Sequence, residues 1–169
     1  HTEGEKTLVI SNKYQSFDSR VETLVVSDGM CNEGTWDILP YLTHLRELAI
    51  GDGCFITMSE VRIIGFRELE RVTIGEKSFL QYEYRDDYFN CCFCLKDCRR
   101  LKSLAIGCYS FSGFSSCVIE DNPSLEVIRI GEVKRRSSNF FDSSLELRSE
   151  SHGRRLMNRL TKTEITRVR

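Results

Sequence analysis

The chain has 169 residues, 40% of them hydrophobic and 29% charged, with a formal net charge of −1. That is enough apolar chain for one domain with its own core. Near-neutral charge gives no whole-chain attraction to nucleic acid or an anionic membrane, and no apolar run approaches the ~20 residues of a membrane-spanning helix.

The opening segment His1–Lys6 is polar and lacks an initiating Met, so the chain reads as a piece of a longer protein. Leu8, Ile10 and Phe17 form a shortened first repeat. Five longer segments then align, beginning at Val21, Leu45, Leu69, Leu101 and Leu125. Their spacings are 24, 24, 32 and 24 residues, so the period is 24 and the third repeat carries eight extra residues around Gln81–Tyr88.

Each segment has apolar residues at positions one, four and six, as in Leu45-Arg46-Glu47-Leu48-Ala49-Ile50. Positions four and six alternate inward, as a strand with one buried face requires. The glycine after the Ile suits a left-handed or crowded turn. Phe55, Phe79 and Phe111 each follow ten residues after the first Leu. A second apolar pair comes later, Val61/Ile63, Phe93/Leu95 and Cys117/Ile119, and reads as a second short strand on the far wall. Leu42, Phe66, Cys98 and Asn122 stand three residues before the next repeat. One such coil cannot bury its own apolar face, whereas stacked coils bury one another's. The expectation is a mainly β stack with two short parallel strands per coil over residues 1–147, the first coil partial. Leu48, Val72, Leu104 and Ile128 should form one buried row.

Residues 148–169 carry seven basic side chains against Glu150 and Glu164, leaving 17 basic and 23 acidic residues in the body. This is either a degraded last repeat or a basic tail. Leu156 and Leu160 are spaced for one face of a short helix.

The pattern resembles leucine-rich repeat proteins of the BspA-like type. The residues that carry the resemblance are Ile74-Gly75-Glu76-Lys77-Ser78-Phe79, Ile106-Gly107-Cys108-Tyr109-Ser110-Phe111 and the lead-in Cys98-Arg99-Arg100-Leu101. It covers about residues 21–147. The other lead-in positions depart from it in lacking Cys, and the first and last repeats are degraded. The resemblance implies a right-handed leucine-rich-repeat solenoid and, by analogy, surface recognition of another protein.

Two candidate contact regions stand out. Position two of the repeat runs Glu22, Arg46, Glu70, Lys102, Glu126, alternating in sign, and beside it Glu47 should face Arg71. This is either a ladder of surface ion pairs or a binding face, because the main strand surface is where such stacks usually bind. The insertion holds Tyr82, Tyr84, Asp86, Asp87 and Tyr88, and insertions in stacked-coil folds leave the stack as loops. Tyrosines give large contact area at low entropy cost.

Cys91, Cys92, Cys94 and Cys98 cluster, and four thiolates can bind zinc, but paired C-x2-C knuckles are missing. With Phe93 and Leu95 inward, Cys92 and Cys94 point outward. Cys98 sits in an apolar column, and Cys117 takes an inward site as a small hydrophobe. No cofactor or metal is expected. Buried free thiols and the lack of an N-x-S/T sequon favour an intracellular protein.

His1, His44 and His152 lie far apart, and His44 reads as a solvated corner residue. Gly51-Asp52-Gly53 is a turn without the lysine of a phosphate loop. Trp36 falls in the turn column opposite Glu60. No set of residues supports an enzyme. The leading reading is a protein-binding module, the second a structural spacer, and the third a metal or redox protein using the Cys cluster.

Overall fold

In the computed structural model, the described residues are 6–12, 16–32, 38–80, 91–131 and 139–140, with 144–148 as backbone alone. Ten strands make up most of the regular structure: β1 (Thr7–Ile10), β2 (Thr23–Val26), β3 (Glu47–Ile50), β4 (Glu60–Ile64), β5 (Arg71–Ile74), β6 (Cys92–Lys96), β7 (Ser103–Ile106), β8 (Ser116–Glu120), β9 (Val127–Ile130) and β10 (Ser144–Arg148). One turn of 3-10 helix, Leu39–Tyr41, precedes β3. The insertion Gln81–Tyr88, Trp36 and the tail 149–169 lie outside the described residues.

The strands form two parallel sheets. The six-stranded sheet runs β1-β2-β3-β5-β7-β9 and the four-stranded sheet runs β4-β6-β8-β10. From β3 onward the chain alternates between them, and each strand pairs with the strand two further on. The register is the one the repeat columns require. Leu8, Leu24, Leu48, Val72, Leu104 and Ile128 pair in one unbroken row. All six are buried. Val61, Phe93 and Cys117 form the facing row in the second sheet. Burying a Leu or Ile side chain contributes roughly 1.5–3 kcal/mol, so these rows are the main source of stability.

Corners repeat as faithfully as strands. The amide of each repeat's first residue donates to the carbonyl three back: Leu45 to Leu42, Leu69 to Phe66, Leu101 to Cys98 and Leu125 to Asn122, at 3.1–3.4 Å. Asn122 stands in this otherwise apolar column because its amide is satisfied there. Its Oδ1 accepts from Cys98 N at 3.0 Å and its Nδ2 donates to Leu95 O at 3.1 Å.

Of the two conformations open to the glycine after the strand, Gly51, Gly75 and Gly107 take the crowded one. A Cβ on Gly107 would lie 2.6 Å from the carbonyl carbon of Gly75. Left-handed backbone falls two and four residues further on. It is carried by Gly29, Gly53, Lys77 and Tyr109, and again by Cys31, Phe55, Phe79 and Phe111. Phe140 is left-handed too. Bulky residues rarely adopt this conformation. It persists because each ring is locked into a stack: Phe55 on Phe79 at 5.1 Å, Phe79 on Phe111 at 4.8 Å and Phe111 on Phe140 at 5.1 Å, with planes within 6° of parallel.

A buried polar column runs beside the rings. Ser78 Oγ donates to Gly51 O at 2.8 Å and accepts from Cys54 N at 3.1 Å. Ser110 Oγ donates to Gly75 O at 2.5 Å and accepts from Ser78 N at 3.0 Å. Cys54 Sγ makes the same donation to Ser27 O at 3.2 Å, and Asn139 Nδ2 makes it to Gly107 O at 2.7 Å. Each coil thus satisfies the turn carbonyl of the one before it, which a buried backbone group requires.

Candidate recognition surface

The outward face of the six-stranded sheet alternates with its buried rows, so its composition follows from positions three and five of the repeat. Position three reads Thr7, Thr23, Glu47, Arg71, Ser103, Val127, and position five reads Val9, Val25, Ala49, Thr73, Ala105, Arg129. Most of these side chains are short. The result is a face of mostly short side chains across six strands, with Val9 41% exposed at one end and Arg129 exposed at the other.

Glu47 and Arg71 are cross-strand partners, and Arg71 Nη2 lies 3.2 Å from Glu47 Oε2. Position two borders the face. Lys6 extends this column by one coil, since Glu22 N donates to Lys6 O and Lys6 Nζ lies 3.8 Å from Glu22 Oε2. Six alternating charges therefore line one edge: Lys6, Glu22, Arg46, Glu70, Lys102, Glu126. They do not zip together as a continuous ladder. Arg46 pairs with Glu68 at 3.8 Å, which Arg100 also approaches at 3.7 Å, and Glu70 is 3.9 Å from Arg71. Among the described residues Lys102 and Glu126 make no ion pair. At Arg46 the ladder is interrupted by Glu68, which stands at the corner of the next coil and takes the guanidinium sideways. Exposed pairs of this kind contribute at most about 0.2–1 kcal/mol each.

The opposite edge of the face is acidic. Asp28 Oδ1 accepts from Asp52 N, and Asp52 Oδ1 accepts from Glu76 N, both at 2.7 Å. These carboxylates cap the turns of successive coils. At another corner, the Arg20 guanidinium beside Asp18 holds its carboxyl down at about 2.

The second candidate region, Tyr82, Tyr84, Asp86, Asp87 and Tyr88, lies outside the described residues. His44 is exposed at its corner.

The cysteines divide by column. Cys98 and Cys117 are buried, whereas Cys92 and Cys94 lie half-buried on the outward face of the second sheet. Burial pushes the Cys98 thiol up to about 11, and it raises Cys117 well above the ordinary thiol value. Cys94 is also raised, first by burial and then by neighbouring Cys92, with Arg62 opposing. Raised thiols stay protonated at neutral pH, which opposes a nucleophilic role. Among the described residues no three His, Cys, Asp or Glu side chains converge in a metal-binding arrangement.

Two surface features carried no clear sequence signal. Beside β4 runs a groove of about 650 Å³ lined by Leu39, Pro40, Met58, Ile64 and Phe66, with Arg62 and Arg67 at its rim. Arg62 is paired with Glu60. Phe17 and Tyr41 form an exposed aromatic pair with centroids 6.4 Å apart. Single exposed apolar residues are commonplace, and only their neighbourhood in space distinguishes these. No helix of the described residues is long and apolar enough to cross a membrane. No family model matches the chain, and neither a curated protein nor a solved structure matches it.

Proposed function

We propose that the chain is a right-handed leucine-rich-repeat solenoid of the BspA-like type, and that it works as a non-catalytic protein-recognition module within residues 1–147. The observation that carries this reading is the outward face of the six-stranded sheet. Side chains on it are short but for the central Glu47–Arg71 pair and the terminal Arg129, and charged columns border it on both sides. A face with few charges at its centre and a polar rim is the pattern of protein interfaces. Strong pairing within each coil-to-coil contact makes the face rigid, so little ordering cost falls on binding. Right-handedness follows the general preference of parallel crossover connections. Arg46, Glu47 and Arg71 are the proposed contacts on the face, with Tyr82, Tyr84, Asp86, Asp87 and Tyr88 of the insertion as a second contact.

The test compares partner capture by the full chain and three variants, read by mass spectrometry. Ala49→Arg with Thr73→Arg puts two long cations on the face. Cys94→Ser alters the opposite sheet and serves as control. Deletion of residues 81–87 removes most of the insertion. A protein retained by wild type and by Cys94→Ser, and lost on Ala49→Arg with Thr73→Arg, supports the reading. Retention by all three variants overturns the face and the 81–87 segment as the contact, and capture of nothing by wild type leaves the structural-spacer reading.

A further inference from the structure

The six charges at position two have a symmetry that a list of ion pairs hides. Down the stack they run Lys6, Glu22, Arg46, Glu70, Lys102, Glu126, one for each strand of the six-stranded sheet. Sign alternation over an even number of rungs is self-complementary when reversed. A two-fold axis parallel to the strands, midway between the third and fourth rungs, places each column over itself in reverse order. Lys6 then meets Glu126, Glu22 meets Lys102, and Arg46 meets Glu70. Position three follows the same rule: Glu47 meets Arg71, Thr23 meets Ser103, and Thr7 meets Val127. At position five, Ala49 meets Thr73 and Val25 meets Ala105, short against short over the central four strands, while Val9 meets Arg129 at the two ends.

We propose that this face pairs with a second copy of the chain in that antiparallel arrangement. The inference rests on the recognition reading and names its partner. An isologous contact of this kind makes each opposite-sign meeting twice. The competing two-fold, along the stack, lays the charged edge against the acidic turn edge rung for rung. Glu22 would then face Asp28, and Glu70 would face Glu76, two like-charge meetings out of three. The antiparallel arrangement carries one such meeting, Asp52 with Glu76, at the rim where Asp52 is engaged by the Glu76 amide.

Intrachain pairing leaves charge available for this contact. Lys102 and Glu126 are exposed and make no ion pair among the described residues, and Lys6–Glu22 is a loose contact at 3.8 Å. In the dimer Lys102 gains Glu22, and Glu126 gains Lys6. The face is small. Six strands about 4.8 Å apart and four residues of about 3.3 Å span roughly 24 by 13 Å, well under the ~800 Å² per partner of a standard interface. The dimer is accordingly weak and depends on salt, since its specificity is carried by exposed charges.

Sedimentation equilibrium of the full chain tests this at about 0.01 M and about 1 M salt, where screening lengths are roughly 30 and 3 Å. Wild type dimerises at low salt, and its dissociation constant rises tenfold or more at high salt, on the order expected for charge-steered contacts. Glu22→Lys alone and Lys102→Glu alone each create two like-charge meetings and are monomeric. Mixed together, the two single variants form a heterodimer, because each supplies the sign the other lacks. Carried on one chain, both substitutions restore the homodimer. Recovery on mixing separates an interface effect from misfolding.

A wild-type chain that stays monomeric at low salt overturns the dimer. So do single variants that dimerise like wild type, and so does a mixture that fails to associate. None of these outcomes touches capture of a different protein by the same face, which Ala49→Arg with Thr73→Arg tests separately.

Discussion

The phenyl ring of Phe79 lies flat against that of Phe111, with centroids 4.8 Å apart and planes 2° from parallel, although 32 residues separate them. Phe55 and Phe79 stack in the same way across 24 residues. The ladder therefore keeps its pitch through the third repeat, whose eight extra residues leave it undisturbed.

Phe79 is fully buried, with rings on both sides and Phe114 edge-on at 6.5 Å. Phe79→Ala is expected to destabilise the chain by about 3–5 kcal/mol, as large-to-small core changes do. Phe79→Leu should cost less, because volume is largely kept. Urea unfolding followed by circular dichroism checks both, and equal losses would show that ring stacking rather than volume sets the cost.

The polar column gives a sharper test. Ser110→Ala strips the partner from the buried Ser78 amide and from the Gly75 carbonyl, and should cost about 1–3 kcal/mol. Ser110→Cys should recover part of this loss, since Cys54 already donates to Ser27 O in the equivalent place. A fully neutral Ser110→Ala in urea unfolding would mean that water fills the gap.

Much of this architecture was legible before any coordinates. Strand positions, the buried Leu48–Val72–Leu104–Ile128 row, the outward Cys92 and Cys94 and the Glu47–Arg71 pair all follow from period-two alternation within a fixed repeat. Alternating charges at position two were legible as well, but not their partners, because reach to Glu68 depends on how the corner folds. The Ser78–Ser110 column was missed. Its signal is the Ser immediately before Phe79 and Phe111, which reads as an ordinary turn residue until the coil pitch places it under a carbonyl. Left-handed backbone at the Phe column was equally hidden, since nothing in a Phe side chain favours it and only the stack enforces it.

The two glycine-rich turn positions should respond oppositely to substitution. On Gly75 a Cβ would lie 2.7 Å from the Gly51 carbonyl carbon, so Gly75→Ala forces backbone apart and should cost about 1–3 kcal/mol. Lys77, two residues on, has φ of 56° where Gly29 and Gly53 stand in earlier coils. Lys77→Gly removes a left-handed penalty of about 1–2 kcal/mol against a glycine entropy cost of roughly 0.5–1 kcal/mol. Thermal unfolding should place Lys77→Gly at or slightly above wild type and Gly75→Ala clearly below it.

Stability should fall in alkali through Cys98. Burial raises its thiol from the ordinary 9.0 to about 11 in the folded chain, whereas the unfolded chain ionises near the ordinary value. Above that value the folded state holds the extra proton, so stability is fully present below pH ~9 and is lost as pH rises towards ~11. Two pH units correspond to about 2.7 kcal/mol. Urea titrations between pH ~8 and ~10.5 should show a smaller slope for Cys98→Ala than for wild type. Matching slopes would remove Cys98 as the cause.

Every strand of the six-stranded sheet bonds only to the coil before it and the coil after it. The stack is thus a ruler whose unit is one 24-residue turn of chain. Copying residues 45–68 in place would lengthen it by about 4.8 Å and set Arg46 and Glu47 each beside a copy of itself. It would also make the number of charged rungs odd. Laid in reverse on a second copy, the lengthened column still matches sign at its outer rungs, but its central rung meets its own copy, so a single inserted turn puts a like-charge contact in the middle of a self-matching edge.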